Sequence, residues 1–288
     1  MFPAQFDYFR ASSIKDAQHL LRQHPGAKLL AGGHSLIPLL KLRLTSPAAL
    51  IDIGRITELK GISTVGGHLR IGALTTHAEI AASKTLKAEC PMLAEAASHI
   101  GDQQVRNCGT IGGNVAHADP ASDLPTVLSA LEARLVAVGP DGEQTITAAN
   151  FFQGMMTTAL GEHDILTAVE ITPRKRGDGM SYAKFVHPAS RYAVVGAAAV
   201  VTVAGGVCTA ARVSIGGLLP VATRTPAVEK ALVGGKPTAE TIAAAAERVA
   251  EHLDGYVLED VFASANYRRA MAAVYVKRAL TAAFERAA

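Results

Sequence analysis

The chain has no tryptophan and only three cysteines in 288 residues. Cys90, Cys108 and Cys208 are odd in number, far apart and never spaced as C-x-x-C. This argues against a disulfide framework and a self-contained zinc or iron–sulfur site, and it fits a reducing cytoplasm. Long hydrophobic runs are missing as well. The longest candidate, "VVGAAAVVTVAGGV" (194–207), is broken by glycines and falls short of the roughly 18–20 residues that cross a bilayer. The opening "MFPAQFDYFRASS" has no charged segment leading into an apolar one, so no secretory signal is expected. Charge is scarce, at 18% of residues against about 25% in typical soluble domains. What charge there is nearly cancels, at net +3, and basic residues are scattered apart from "RKR" (174–176). Neither nucleic acid nor an anionic membrane is expected as a dominant partner. A charge-poor surface is one sign of a subunit buried against others; an alanine-rich bias is the competing reading.

What is present is a 49% hydrophobic composition over a length that fits two domains better than one. Residues 12–24 start with a serine cap and place Ile14, Ala17, Leu20 and Leu21 on one helical face. "AKLLAGG" and "LIDIGRI" (50–56) read as strands either side of a glycine turn and a helix-like "LIPLL", a small parallel α/β unit. "LRIGALTTHAEIAAS" predicts a strand turning at Thr75-Thr76 into a helix, and 92–100 is a second helix. The stretch 109–125 reads as a glycine-rich loop before a helix at 126–133, and strand patterns alternate from 134 to 172. Past a boundary at "PRKRGDG" (173–179), three strands with hairpin spacing precede helical periodicity at 226–233, 238–253 and 266–285. The expected fold is α+β. Its N-terminal domain, 1–175, is subdivided near 57 into the parallel unit and a mainly antiparallel sheet. Its C-terminal domain, 178–288, is a three-stranded antiparallel sheet with three helices.

Two glycine segments carry the chemistry. "AGGHSL" (31–36) follows a buried strand, and "TIGGN" (110–114) lies in the glycine-rich stretch. Consecutive glycines let backbone approach a ligand, and a run of exposed N–H groups makes an anion-binding nest. Either pair alone also reads as a plain turn. Together, each with a hydroxyl (Ser35, Thr110) and a second polar side chain (His34, Asn114), they could hold a diphosphate without a lysine.

These residues resemble a known family. "LLAGGHSLIPLLKLRL", "VRNCGTIGGNVAHADPASDLP", "YAKF…SRY" and the C-terminal "ANYRRAMAAVYVKRAL" are similar to the FAD-binding medium subunits of the molybdenum hydroxylases. That family includes aerobic carbon monoxide dehydrogenase, xanthine dehydrogenase and bacterial N-heterocycle hydroxylases; the first is nearest in pattern. The resemblance implies a vanillyl-alcohol-oxidase-type FAD domain followed by a carbon monoxide dehydrogenase flavoprotein C-terminal domain. It implies that Ala31, Gly32, Gly33, His34, Ser35 and Leu36 wrap the FAD diphosphate with backbone N–H groups. Thr110, Gly113 and Asn114 would hold the phosphate and ribityl region from the other side, and Asp123 would accept from sugar or ribityl hydroxyls. Ile100 and Leu166 would pack on the rings. Lys184 would sit at the pyrimidine edge, where its charge favours an anionic reduced ring, and Tyr192 would cover the ring face.

The resemblance further implies molybdopterin in a large partner subunit and [2Fe–2S] clusters in a small one, in a dimer of heterotrimers. Electrons would leave through FAD to a quinone, NAD or another acceptor, and that acceptor could draw the complex to the inner face of the membrane. Carbon monoxide is the expected substrate of the complex, with an N-heterocycle or purine as the alternative. Two departures stand out: His117 replaces a smaller polar residue, and "PASRY" replaces a more basic approach to the aromatic.

Plainer readings remain open. Tyr192 also reads as a strand aromatic, Lys184 as a solvated lysine, and Asp119 or Asp123 as a cap for the following helix. His34 lacks a second ligand at metal spacing. A triad of His34, Ser122 and Asp123 lacks the G-x-S-x-G elbow. A Rossmann dehydrogenase lacks its third glycine and acidic partner. A non-catalytic scaffold is the alternative of a different class, and the absence of bound flavin would reveal it.

Overall fold

Three main sheets, separated by three hydrophobic cores, organise the computed structural model, which describes residues 2–287. The first sheet is parallel, with Asp7–Arg10, Ala49–Asp52 and Lys28–Leu30 in that spatial order. Parallel strands need crossovers, and the helix Ile14–Gln23 supplies the first, joining the two edge strands. Ser13 caps it, its hydroxyl accepting from the Asp16 N–H at 3.1 Å, and Ala17 and Leu21 pack with Ile51, Ile53 and Ile56. After Lys28–Leu30 the chain makes the expected glycine turn and enters the helix Leu36–Lys41.

The second sheet is antiparallel, in the order Ile62–Val65, His68–Gly72, Ile165–Ile171, Arg134–Gly139, Gly142–Thr147. Its outer pairs are local hairpins. The strand between them arrives last, setting Val169 opposite Ile71 on one side and Leu135 on the other. A layer of short helices lies on this sheet, including Pro91–Ser98, Gln103–Cys108, Ile111–His117 and Asp123–Ala130.

The third sheet pairs Asp178–Val186, Ala193–Ala204 and Val207–Gly216, and adds a two-residue edge strand, Thr223–Arg224, too short to leave a sequence pattern. Ala193–Ala204 is buried from Ala193 to Val201. Val195, Ala197, Ala199 and Val201 face the C-terminal core, while Ala198 and Val200 belong to the core beneath the helical layer. Strand side chains alternate in direction, so a strand walled on both sides reads as one continuous apolar run. The helices Pro226–Leu232, Ala239–Glu247 and Ala265–Ala287 complete the C-terminal part. The periodicity at 238–253 ends as a 3-10 turn, Arg248–His252. The α+β expectation is borne out.

One segment departs from it. "TIGGN" is not a loop but the start of the helix Ile111–His117. Thr110 caps that helix, its hydroxyl accepting from the Gly113 N–H at 3.1 Å. The cap and the close packing of Gly112 outweigh the poor helix propensity of two glycines: a Cβ on Gly112 would stand 2.5 Å from the Cβ of Ala73.

Candidate cofactor site

The two glycine segments meet. A Cβ on Gly32 would overlap the carbonyl oxygen of Cys108 and stand 2.8 Å from its carbonyl carbon. Only glycine lets the first turn lie this close to the chain entering the second segment. Gly33 sits at φ +73°, a left-handed conformation natural to glycine. His34 closes the turn, its Nδ1 lying 2.9 Å from the Gly32 carbonyl oxygen. A carbonyl can only accept, so Nδ1 is the donor in this contact.

The two segments offer opposite chemistry. Among the described residues, the N–H groups of Gly32, Gly33, His34, Ser35 and Leu36 meet no acceptor, and Ser35 makes no cap bond to the helix that follows. In the second segment all the amides but that of Thr110 are spent. Ile111 N–H donates to Thr75 O at 3.0 Å, Gly112 N–H to Ala73 O at 2.8 Å, and Asn114 N–H to Thr110 O at 3.0 Å. The expectation of backbone donors on both sides is therefore corrected for the second, where side chains remain. Thr110 still has its hydroxyl proton to donate, and Asn114 Oδ1 is buried with no partner while its Nδ2 donates to Ser122 Oγ at 3.2 Å.

Between the segments lies a cavity of ≈ 690 Å³, within the range of about 300–1,000 Å³ usual for ligand sites. It is lined by Ala31, Gly32, Gly33, His34, Ser35, Leu36, Ile100, Thr110, Gly113, Asn114, Asp123, Leu166 and Tyr192. Lys184 is the exception among the residues chosen from sequence. Its side chain is 1% exposed, with Nζ 2.7 Å from Asp123 Oδ2 and 3.1 Å from His99 O. The ammonium is drawn behind the wall because a buried cation needs a buried anion more than it needs the cavity. Tyr182 donates its hydroxyl to Asp123 Oδ1 at 2.6 Å. Burial raises the Asp123 carboxyl above the usual range, against the pull of Lys184, and burial together with Asp123 pushes the Tyr182 phenol far up. Each Asp123 oxygen keeps a lone pair for a further donor.

Tyr192 stands at the rim, 40% exposed, at the end of a tight turn. Arg191 before it is left-handed, at φ +60°, and the His187 and Arg191 backbones bind across the turn. His187 Nδ1 accepts from the N–H groups of Ala189 and Ser190, each at 3.2 Å. Burial and the Asp119 carboxylate raise the Tyr192 phenol, while the Ser35 hydroxyl across the cavity opposes them. Asp119 itself accepts from Ala121 N–H at 2.9 Å, the local role expected for it.

Sequence reasoning passed over His77, which also lines the cavity and is 3% exposed. The signal was the capping box: Thr76 and Glu79 bond reciprocally and set His77 in the first helical turn, its N–H donating to Gly109 O at 3.0 Å. Nδ1 of His77 is buried without a partner. Burial, then the neighbouring His34 and Arg106, lowers its pKa to about 4. An unfolded histidine titrates near 6.5, so between about pH 6.5 and pH 4 the unfolded chain binds the extra proton and stability falls with pH. Acidifying from pH 7 to pH 5 is expected to cost roughly 2 kcal/mol through this residue. In urea unfolding at both pH values, His77→Gln should lose correspondingly less; an equal loss in both proteins would refute the assignment. No cluster of three or more potential metal ligands occurs among the described residues.

Comparison with known proteins covers the whole chain. The model of the FAD binding domain in molybdopterin dehydrogenase matches residues 4–174, and that of the CO dehydrogenase flavoprotein C-terminal domain matches 180–283. The carbon monoxide dehydrogenase medium chain of Hydrogenophaga pseudoflava is 39% identical over 100% of both chains. The 6-hydroxypseudooxynicotine dehydrogenase complex subunit alpha of Paenarthrobacter nicotinovorans is 37% identical over 100% of this chain and 97% of its own length. A solved carbon monoxide dehydrogenase from H. pseudoflava, lacking the Mo-pyranopterin moiety, superposes with a TM-score of 0.96 at 41% identity over 100% of both chains.

Proposed function

We propose a function from one premise: the chain belongs to the family of FAD-binding medium subunits of the molybdenum hydroxylases. Family members act in multi-subunit complexes with a large molybdenum subunit and a small iron–sulfur subunit. This chain is the flavoprotein subunit, and the reaction on substrate belongs to the large partner.

The cavity fits FAD on three counts. Unpartnered amides crowd one wall, as a diphosphate requires. Asn114, which also lines the cavity, has a buried acceptor without a donor, Oδ1. Ile100 and Leu166 supply the apolar wall that a flat ring needs. The pairing of a free-amide turn with a side-chain wall in one ≈ 690 Å³ cavity carries the reading.

Ala31 to Leu36 would bind the diphosphate, Thr110 and Asn114 would hold the phosphate–ribityl region, and Asp123 would accept from ribityl hydroxyls. Gly113 leaves room between Thr110 and Ala31. Tyr192 would cover the ring and exclude water at the rim. Lys184 acts through Asp123, fixing its charge and orientation. When bound, FAD collects electrons arriving from the iron–sulfur subunit and releases them to an acceptor outside the complex.

Carbon monoxide is the substrate proposed for the complex. The second reading, an N-heterocycle, is favoured by the nearly equal identity to the 6-hydroxypseudooxynicotine dehydrogenase subunit. Titrating the purified chain with FAD tests the core of the proposal, and failure to acquire flavin absorbance sinks it. Dye reduction by the purified complex with carbon monoxide, beside a panel of N-heterocycles, decides the substrate. We place the complex in the cytoplasm, held at the inner membrane face through its acceptor. Among the described residues no helix is long and apolar enough to cross a membrane, and cell fractionation reads the distribution.

A further inference from the structure

We propose that Arg268, on the C-terminal helix Ala265–Ala287, is a positioning residue for the cofactor cavity. The proposal rests on the FAD reading above. Arg268 lies within "ANYRRAMAAVYVKRAL", far along the chain from both glycine segments, yet it is 5% exposed. Four of its five N–H donors are engaged. Nη1 donates to Gly217 O at 2.7 Å and Val194 O at 3.1 Å, Nε to Ala263 O at 3.3 Å, and Nη2 to Asp260 Oδ2 at 2.7 Å. A planar cation with five donors can gather carbonyls from separate segments in this way, where a lysine cannot.

The two segments it gathers, the start of the strand Ala193–Ala204 and the turn at Gly217, hold the cavity wall. Gly217 N–H donates to Pro120 O at 2.9 Å, and Ala193 N–H donates to Ala121 O at 3.0 Å. Pro120 and Ala121 run directly into Ser122 and Asp123 of the cavity, and Ala193 follows Tyr192. Ser122 in turn accepts from Asn114 Nδ2. One buried arginine thus sets the rim tyrosine and the Asp119–Asp123 turn relative to each other. Asp260 holds it from outside, with a half-exposed side chain that does not line the cavity.

The test compares the full-length wild-type chain with Arg268→Met, Asp260→Asn and Arg269→Met, all loaded with FAD. Arg269 is the control: on the same helix, it donates to Leu253 O and Gly255 O, away from the cavity. In Arg268→Met the amides of Ala193 and Gly217 should exchange hydrogen faster. FAD affinity should fall roughly tenfold or more, as loss of charge-assisted bonds implies, and the visible circular dichroism of the bound flavin should change. Asp260→Asn should shift the same signals less, and Arg269→Met should lower thermal stability while leaving them alone.

A folded Arg268→Met with wild-type affinity and flavin dichroism overturns the proposal. Arg269→Met reproducing the flavin changes also overturns it, since the effect would then be general. If Arg268→Met does not fold, an Asp260→Asn chain with a lower melting temperature but unaltered flavin signals has the same force. A wild-type chain that takes up no FAD instead removes the reading beneath the proposal, and the proposal with it.

Discussion

Gly32→Ala is expected to cost the chain its cofactor. The added Cβ would overlap the Cys108 carbonyl oxygen and lie 2.9 Å from Gly109 Cα. Both are backbone atoms and cannot rotate aside, so the first turn must withdraw from the second segment. Overpacking at such a contact costs up to about 3 kcal/mol, which, placed on the binding-competent geometry, is roughly a hundredfold in FAD affinity.

Neighbouring glycines provide a graded comparison. A Cβ on Gly33 would meet the Ile37 side chain at 2.6 Å, which can move, but the φ of +73° adds a strain of about 1–2 kcal/mol. A Cβ on Gly113 would meet the Thr110 hydroxyl at 2.9 Å and reach Ala31 only at 3.9 Å. The expected order of loss in flavin titrations is Gly32→Ala, then Gly33→Ala, then Gly113→Ala. A Gly32→Ala chain that binds FAD as the wild type does would show that the two segments need not touch.

Lys184→Met is expected to destabilise the fold by about 3–5 kcal/mol at pH 7, the usual consequence of stranding one member of a buried ion pair. The pair joins the strand Asp178–Val186 to the helix Asp123–Ala130, with both side chains almost fully buried. Without Lys184 the Asp123 carboxylate keeps only the Tyr182 hydroxyl. Its pKa, already raised by burial, must rise further in the variant.

The sign of the pH effect follows. From the unfolded carboxylate value, about 3.9, up to the raised folded value, the folded variant binds more protons than the unfolded chain. Stability therefore declines as pH rises through that window, and the deficit of Lys184→Met shrinks on acidification, where Asp123 is neutral. Combining Lys184→Met with Asp123→Asn should recover most of the loss. Denaturant unfolding of the wild type, the two single variants and the double variant measures the coupling. A double variant no more stable than Lys184→Met would mean that lost packing, rather than an unpaired charge, is the cause.

The amino-acid sequence by itself determined whatever depends on neighbours in the chain. Ser13 ahead of an apolar helical face makes the cap it advertises, and Leu30-Ala31-Gly32-Gly33 ends a strand in a left-handed turn. Three scattered cysteines stay free of disulfides. The motif set identified the family, and all the residues it pointed to except Lys184 line the cavity, because their spacing in the chain survives whatever packs around them.

Tertiary structure decided which groups are left over for a ligand. "TIGGN" looks as open as "AGGHSL" in sequence, but Ala73, Thr75 and Thr110 take up four of its five amides in a helix start. Lys184 and Asp123, 61 positions apart, find each other and take the lysine out of the cavity. The capping box places His77 on its helix but does not show its burial, and Arg268 carries no local mark of its surroundings. One is set by burial beneath a capping box, the other by carbonyls brought together from a strand start at 194 and a turn at 217. Periodicity and caps are written in short-range interactions; hydrogen-bond satisfaction and desolvation belong to the packed whole.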